Sequence, residues 1–423
     1  MRKNINKLVA FAIGVSVMSG SIMPVFAEDT IQNVDTITNV QTQANQKPVL
    51  TLDDAIKSAI SISDTLQLDT KKITYQDNVN DINEELDDYT GVSGDKEDFN
   101  DDTREATADK VKQQRDFDED VLIQKVIQKY NDIVTNQMKI DKAAKALEIK
   151  KKELNDTKLK KSLGIITSTD LKTTELEIQN LQNTQKSSEN ALKDTEYSFK
   201  VLTGKDITKY SLEQDIAYET LKIDGSIDNY LDNAIDKYLK YREQILKLKK
   251  DYYYDSDNKV TEGYVSDAKT TSEAAKVSGE PILTTYGGYT DAYKTDYDQY
   301  EKDLNAYTNA VSARLAYLAN KLSVDEDQTN LDKDKKNFKD QLRTLYTNLL
   351  TAEDNINYMK QNIELNNKQL SNAKLKCDLG LITKSDYNNQ VLSSLDLDIQ
   401  LRSYINNYNT LKEEIKKPWI AFS

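Results

Sequence analysis

One string of residues occurs twice in this chain, 216 positions apart. The stretch Leu163–Leu171 (LGIITSTDL) returns as Leu379–Tyr387 (LGLITKSDY). Apolar residues spaced seven apart precede both copies and repeat at the same offset: Val126, Ile133, Ile140, Leu147 and Leu154 before the first, and Leu342, Leu349, Ile356, Ile363 and Leu370 before the second. This register indicates an internal duplication of a long helical hairpin.

The repeated string itself predicts a turn between two helices. Gly164 and Gly380 follow the last apolar residue of a helix, where a left-handed residue closes the final carbonyls. Ile165 and Leu381 come next and are expected to pack back on the turn just completed. Thr167 and Thr383 stand at N-cap positions, with Asp170 and Asp386 three residues on, a spacing that suits a capping box. The string therefore ends one helix and starts the next.

Composition excludes several classes of function. The net charge is −14, so a nucleic-acid backbone would be repelled, and no nucleic-acid partner is expected. The chain has no histidine, which removes Ser-His-Asp and Cys-His nucleophile arrangements and histidine-bearing zinc sites. We predict no enzyme, no metal site and no cofactor. Twelve glycines and four prolines leave little to interrupt long helices.

The N-terminus has the pattern of an export signal. Arg2, Lys3 and Lys7 precede a short apolar run, and Val25–Ala27 fits a cleavage site. We predict a signal peptide at 1–27 and a flexible polar tail at 28–47, and hence a location in the cell envelope. The single cysteine, Cys377, cannot form an internal disulfide and is expected to be a small packed side chain.

The remaining chain divides into two similar halves. The first repeat covers about 48–210 and opens at Leu50–Ala55 with Thr51 as N-cap, and the second covers about 225–418 and opens at Ser226. The apolar stripe is narrow, which favours coiled-coil packing. We predict a mainly α fold of two tandem helical hairpins, each broken by a polar interruption: one at about 81–105, the other at about 252–288.

The first interruption is dense in aspartate and glutamate and contains Gly91 and Gly94. A solvated acidic loop is the favoured interpretation, with a loose calcium site as the alternative. In the second interruption, Asp255–Asp257 begins like a calcium loop, but Lys259 and Val260 occupy positions that need an oxygen ligand and a glycine. Neither segment therefore predicts a metal site.

Together these motifs resemble the TolC-like outer membrane efflux proteins. The resemblance rests on the export signal, the opening segment Leu50–Ile56 and the two hairpin tips, and it covers roughly 48–418. It implies a homotrimer whose helices form a hollow α-barrel, with strands from the interruptions completing a β-barrel in the outer membrane. The tips would then dock on a membrane-fusion adaptor protein linked to an inner-membrane pump. The implied adaptor-facing or tip-shaping residues are Gly164, Ile165, Thr167, Asp170, Gly380, Leu381, Thr383 and Asp386.

Two functional hypotheses follow from the sequence. A membrane strand needs about 9–11 residues of alternating polarity, whereas the interruptions offer only isolated apolar residues and the short run Pro281–Tyr286 before Gly287 and Gly288. The first hypothesis is a passive duct with unusual strands, located in the outer membrane. The second is a secreted helical relative without a pore, acting as a structural or interaction module at the cell surface.

Overall fold

The computed structural model describes residues 47–278 and 291–422. The predicted signal peptide, nearly all of the polar tail and the Pro281–Gly288 run lie outside the described residues. The described chain is almost entirely helical, with these bounds: α1 Leu52–Ile62, α2 Asp64–Thr90, α3 Asp95–Ser162, α4 Ser168–Thr203, α5 Ile227–Tyr254, α6 Glu262–Ser278, α7 Asp291–Asp378, α8 Lys384–Lys416 and α9 Pro418–Phe422. Strands β1 (Val49–Leu50) and β2 (Ser211–Leu212) pair in parallel, with Val49 opposite Ser211.

Side chains cap the helices where the sequence indicated. The Asp54 amide donates to Thr51 Oγ1 at 3.1 Å, and the Asn229 amide donates to Ser226 Oγ at 3.2 Å. Both bonds satisfy amides that have no partner inside the helix. Gly204 ends α4 in the left-handed region, with φ of 70°.

The seven-residue apolar columns form the buried faces of α3 and α7. Val126, Ile133, Leu342, Leu349 and Ile356 are at most 1% exposed. Later members of both columns, nearer the tips, are half-buried. A single buried column with polar flanks is what a narrow coiled-coil seam requires. The prediction of long hairpin helices is confirmed.

The prediction of an acidic loop at 81–105 is wrong. Helix α2 continues to Thr90 and α3 begins at Asp95, so the break is only four residues long. Asp87 ties the two helices together: it accepts from Asn100 Nδ2 at 2.9 Å and from Arg104 Nη1 at 2.6 Å. These bonds lower the pKa of Asp87, the Arg104 bond first. The many aspartates and glutamates of this segment lie mostly on exposed faces of α2 and α3.

The second interruption is also more helical than the sequence suggested. Helix α5 runs on to Tyr254, and α6 occupies Glu262–Ser278 after a short irregular segment. Arg314 of α7 donates to the carbonyl of Val260, which fixes this segment. In the described part of the chain, no group of three Cys, Asp or Glu side chains is placed to hold a metal ion.

Residue contacts group the chain into two compact units, and each is described separately. Unit 1 contains the described residues up to Ile62 together with Gln124–Thr220 and Asn348–Leu411. Its two strands are held by Tyr130, whose hydroxyl donates to the Leu50 carbonyl at 2.8 Å and accepts from the Glu213 amide at 2.9 Å.

Unit 2 contains Ser63–Ile123, Leu221–Thr347 and Lys412–Ser423. The rings of Phe117 and Trp419 stack at 4.2 Å, and those of Phe338 and Phe422 stack at 4.5 Å, with Tyr238 in contact with all four. Trp419 Nε1 also donates to Asp120 at 3.0 Å. The aromatic cluster therefore anchors α9.

None of the helices within residues 47–278 and 291–422 is both long and apolar enough to cross a membrane.

Candidate functional site: the two hairpin tips

The first tip joins α3 to α4 through a turn closed at both ends. Gly164 has φ of 73°, and its amide donates to the Lys161 carbonyl at 2.9 Å. The Ile165 amide donates to the Lys160 carbonyl, also at 2.9 Å. These two bonds form a Schellman motif, which satisfies carbonyls at the end of α3. A Cβ at Gly164 would meet nothing within 4 Å, so the glycine is required for its backbone angle alone.

Helix α4 then starts with a complete capping box. The Asp170 amide donates to Thr167 Oγ1 at 3.2 Å, and Asp170 Oδ2 accepts from the Thr167 amide at 2.8 Å. Thr167 Oγ1 also donates to Asp170 Oδ2 at 2.7 Å. The bonds from the Thr167 backbone and side chain lower the pKa of Asp170 from its usual value. The predicted N-cap is confirmed.

The second tip, between α7 and α8, has the same geometry. Gly380 has φ of 71°, its amide donates to the Cys377 carbonyl at 3.0 Å, and the Leu381 amide donates to the Lys376 carbonyl at 2.8 Å. Thr383 and Asp386 form the matching box, with backbone bonds of 3.0 and 3.1 Å. The repeated sequence therefore forms the same set of hydrogen bonds in both turns. Cys377 is half-buried, with a free thiol.

One expectation about the tips is wrong. Ile165 and Leu381 do not pack back on the preceding helix but stay 66% and 69% exposed. The positions that would receive such a contact, five and six residues earlier, hold Lys160 and Leu159 in the first tip and Lys376 and Leu375 in the second, and all four are exposed. The aliphatic side chains of both turns therefore remain in solvent.

Packing within unit 1 places both tips at the same end. Ala146 and Ile149 of α3 cluster with Leu392 of α8, and Lys142 pairs with Asp396 on the same two helices. Lys142 lies farther from the first tip than Ala146, and its partner Asp396 lies farther from the second tip than Leu392, so the two helices are antiparallel. Both tips therefore lie on the same side of the cluster, on the order of 20 Å beyond it at ~1.5 Å per residue.

The sequence reading missed the lysines and leucines before each turn. Lys158, Leu159 and Lys160 recur as Lys374–Lys376 at the same 216-residue offset. All of these residues are exposed. Extending the search for identity upstream of the turn would have found them.

The fold, a set of long helical hairpins, is similar to that of solved outer membrane channels. CusC, solved in work on folding and transmembrane channel formation, matches with a TM-score of 0.54 at 10% identity, over 95% of this chain and 99% of that chain. The outer-membrane channel OprN gives 0.54 at 10% identity over 93% and 99%. The CmeC outer membrane channel of Campylobacter jejuni gives 0.51 at 11% identity over 94% of each.

The sequence matches no protein-family model and no curated protein. The structural likeness at these identities establishes a shared fold. The resemblance inferred from the hairpin motifs, and the mainly α fold predicted from the apolar columns, are therefore confirmed at the level of the fold.

Proposed function

We propose that this chain is the protomer of a TolC-like duct, the passive outer component of an envelope export system. The observation that carries the proposal is the similarity in fold to outer membrane channels over 95% of the chain. In this function three copies surround a channel, and cargo passes through without any bond being made or broken. The structural neighbours are channel proteins rather than enzymes, which fits a passive role.

The tips are the proposed docking site for a membrane-fusion adaptor that links the duct to an inner-membrane pump. Gly164 and Gly380 shape the turns, and the Thr167–Asp170 and Thr383–Asp386 boxes hold them closed. Ile165 and Leu381 are the exposed contact residues. Because both tips of unit 1 lie at one end, a single partner surface could engage both.

A second candidate function is an envelope interaction module that does not conduct. The specific observation in its favour is the helical hairpin of α2 and α3, which occupies the segment where the resemblance implied strands. In this role the tips would still bind a partner, and the helices would act as a spacer.

Native mass spectrometry of the exported chain, residues 28–423, in mild detergent separates the two candidates. The duct proposal predicts a three-copy assembly that partitions into the detergent phase. A monomer that stays in the aqueous phase would contradict the duct and favour the interaction module. The variant Gly263→Ala, in α6, is the control for effects of purification and substitution, because it changes a helical glycine away from the tips. It should assemble as the unsubstituted chain does.

A further inference from the structure

Six exposed aliphatic side chains occupy three repeated positions at the hairpin tips. They are Leu159 and Leu375, Leu163 and Leu379, and Ile165 and Leu381, all between 60% and 69% exposed. Single exposed aliphatic residues are ordinary on protein surfaces. The same three positions are exposed in both copies, at the same end of unit 1, so each tip presents a small aliphatic patch. We call these six residues and the lysines among them the tip surface.

Lysines alternate with the aliphatic residues of the tip surface. Lys158 and Lys160 flank Leu159, and Lys374 and Lys376 flank Leu375, all four exposed. Within the part of the chain that the structure describes, none of these four lysines forms an ion pair. Their charge is therefore available to a partner, although the chain as a whole carries −14.

The tip carboxylates offset only part of this charge. Asp170 and Asp386 accept hydrogen bonds from a threonine in the capping boxes and keep their negative charge. Residues 158–170 carry three lysines and one aspartate, and residues 374–386 carry three lysines and two aspartates. The tip surface is thus apolar with a net positive charge, on a protein that is otherwise acidic.

From this arrangement we propose that the tip surface binds a partner protein through an apolar groove bordered by carboxylates, and that the chain makes this contact twice, once at each tip. The proposal rests on the docking role proposed above and adds the chemistry of the partner. Complementary charge along the groove would speed association and fix the register, while the leucines would provide the buried contact.

The order of residues along the helix favours a protein over a lipid surface. Leu159 lies about 6 Å behind Leu163 along the axis of α3, with Lys160 and Lys161 between them. If the end of the helix entered a bilayer along its axis, Lys160 and Lys161 would be carried deeper than Leu159. A groove lying alongside the helix end can meet leucines and lysines together, because carboxylates can border it at both levels.

The test uses designed probes and the whole exported chain. One probe is a helical hairpin peptide with a leucine groove bordered by glutamates, and the other is the same peptide with glutamines. We expect the glutamate hairpin to bind more tightly, with an affinity that falls as salt screens the contact. Replacing Lys158, Lys160, Lys374 and Lys376 by Gln should weaken its binding by about tenfold or more. The control replaces four exposed lysines away from the tips by Gln, and should change binding less than about twofold: Lys57, Lys71, Lys110 and Lys125.

Several outcomes would overturn the inference. These are equal binding of the two hairpins, absence of binding to both, or unchanged binding after the tip lysines are replaced in a variant with unaltered circular dichroism. Sedimentation with phosphatidylcholine vesicles containing about one third phosphatidylglycerol, dependent on the tip lysines and without hairpin binding, would assign the surface to a membrane instead. Channel conductance is measured on the same samples: conductance without hairpin binding defeats this inference alone, and hairpin binding without conductance defeats only the duct.

Discussion

At the scale of single residues, Arg402 holds the segment after β2 in place within unit 1. The side chain is 5% exposed, its Nη2 donates to Asn131 Oδ1 at 2.9 Å, and its Nη1 donates to the Gln214 carbonyl. Burial lowers the pKa of the guanidinium from its usual value. The segment after β2 is thereby tied to α3 and α8. A buried cation is retained only where such partners offset its desolvation.

Replacing Arg402 by Met should lower the free energy of unfolding by about 1–3 kcal/mol, because the buried Asn131 Oδ1 and the part-buried Gln214 carbonyl lose their donor. Urea unfolding at neutral pH measures the change. Arg115→Met is the control: Arg115 makes a half-exposed pair with Glu119, four residues on in the same helix, at 3.1 Å, so its loss should cost less than about 1 kcal/mol. Equal effects of the two substitutions would show that the Arg402 bonds do not stabilise unit 1.

The capping boxes predict a depressed carboxyl pKa at each tip and a loss of stability as the pH falls. The side chain and then the backbone of Thr383 lower the pKa of Asp386. A carboxyl whose folded pKa is depressed adds stability above its unfolded pKa, about 3.9, and loses it as the pH falls through the folded value. Carboxyl NMR titration should therefore show a depressed pKa for Asp386 that rises toward the ordinary value in Thr383→Ala. Ser385→Ala, two residues on, should leave it in place, and an unchanged pKa in Thr383→Ala would refute this cause.

At the scale of elements, much of the fold could be predicted from the sequence. The seven-residue columns gave the long arms of α3 and α7, and Thr-x-x-Asp gave the start of α4, because both signals are local. The acidic segment at 81–105 was misread, since carboxylates report solvent exposure and are compatible with a helix face. The two-residue pairing of Val49 with Ser211 has no local signal, because it depends on contacts far apart in sequence.

The turns at the tips should be sensitive to proline. Gly164→Pro or Gly380→Pro removes an amide donor and cannot adopt φ above 70°. We expect each variant to lose about 1–3 kcal/mol of stability in urea unfolding. Gly263→Ala should be neutral or slightly stabilising, because Gly263 lies in a helix and an added Cβ makes only ordinary contact. Unchanged unfolding of both proline variants would count against the tip geometry.

Within unit 2, an ion-pair ladder joins α5 to α7. Asp228, Asp232 and Asp236 lie four residues apart and face Arg343, Lys339 and Lys335, with Lys339 at 2.8 Å from Asp232 and Lys335 at 3.1 Å from Asp236. Lys335 also pairs with Glu243 of α5 at 2.6 Å, and Arg242 of α5 pairs with Asp334 of α7 at 2.6 Å. These pairs hold the two helices together through opposite charges.

Reversing the three aspartates of the ladder to lysine should lower the melting temperature by on the order of a few degrees, and more at low salt than at high salt. Exchanging the three facing cations for aspartate in the same chain should restore it, because the opposite pairs are re-formed. Calorimetry at two salt concentrations measures both variants. A melting temperature that is insensitive to the reversal, or not restored by the exchange, would show that the ladder does not stabilise the packing of α5 on α7.

At the scale of the whole molecule, the chain combines a channel-type fold with an acidic surface and a basic, apolar tip surface. The fold is shared with outer membrane channels at about one identical residue in ten. The fold could be inferred from the sequence because both copies of the duplicated turn carry the same glycine and capping residues, which are local signals. The exposure of the tip aliphatics could not be inferred, because it depends on the direction in which each side chain leaves the turn.

Single-channel conductance in planar lipid bilayers tests the central claim, that this chain is the protomer of a passive duct. The duct predicts discrete, ohmic conductance steps from the purified three-copy assembly of residues 28–423. The steps should persist when the four tip lysines are replaced by Gln, since those residues are assigned to docking. Failure of a verified assembly to produce any steps, under conditions where a control channel conducts, would contradict the duct and leave the helical interaction module as the function.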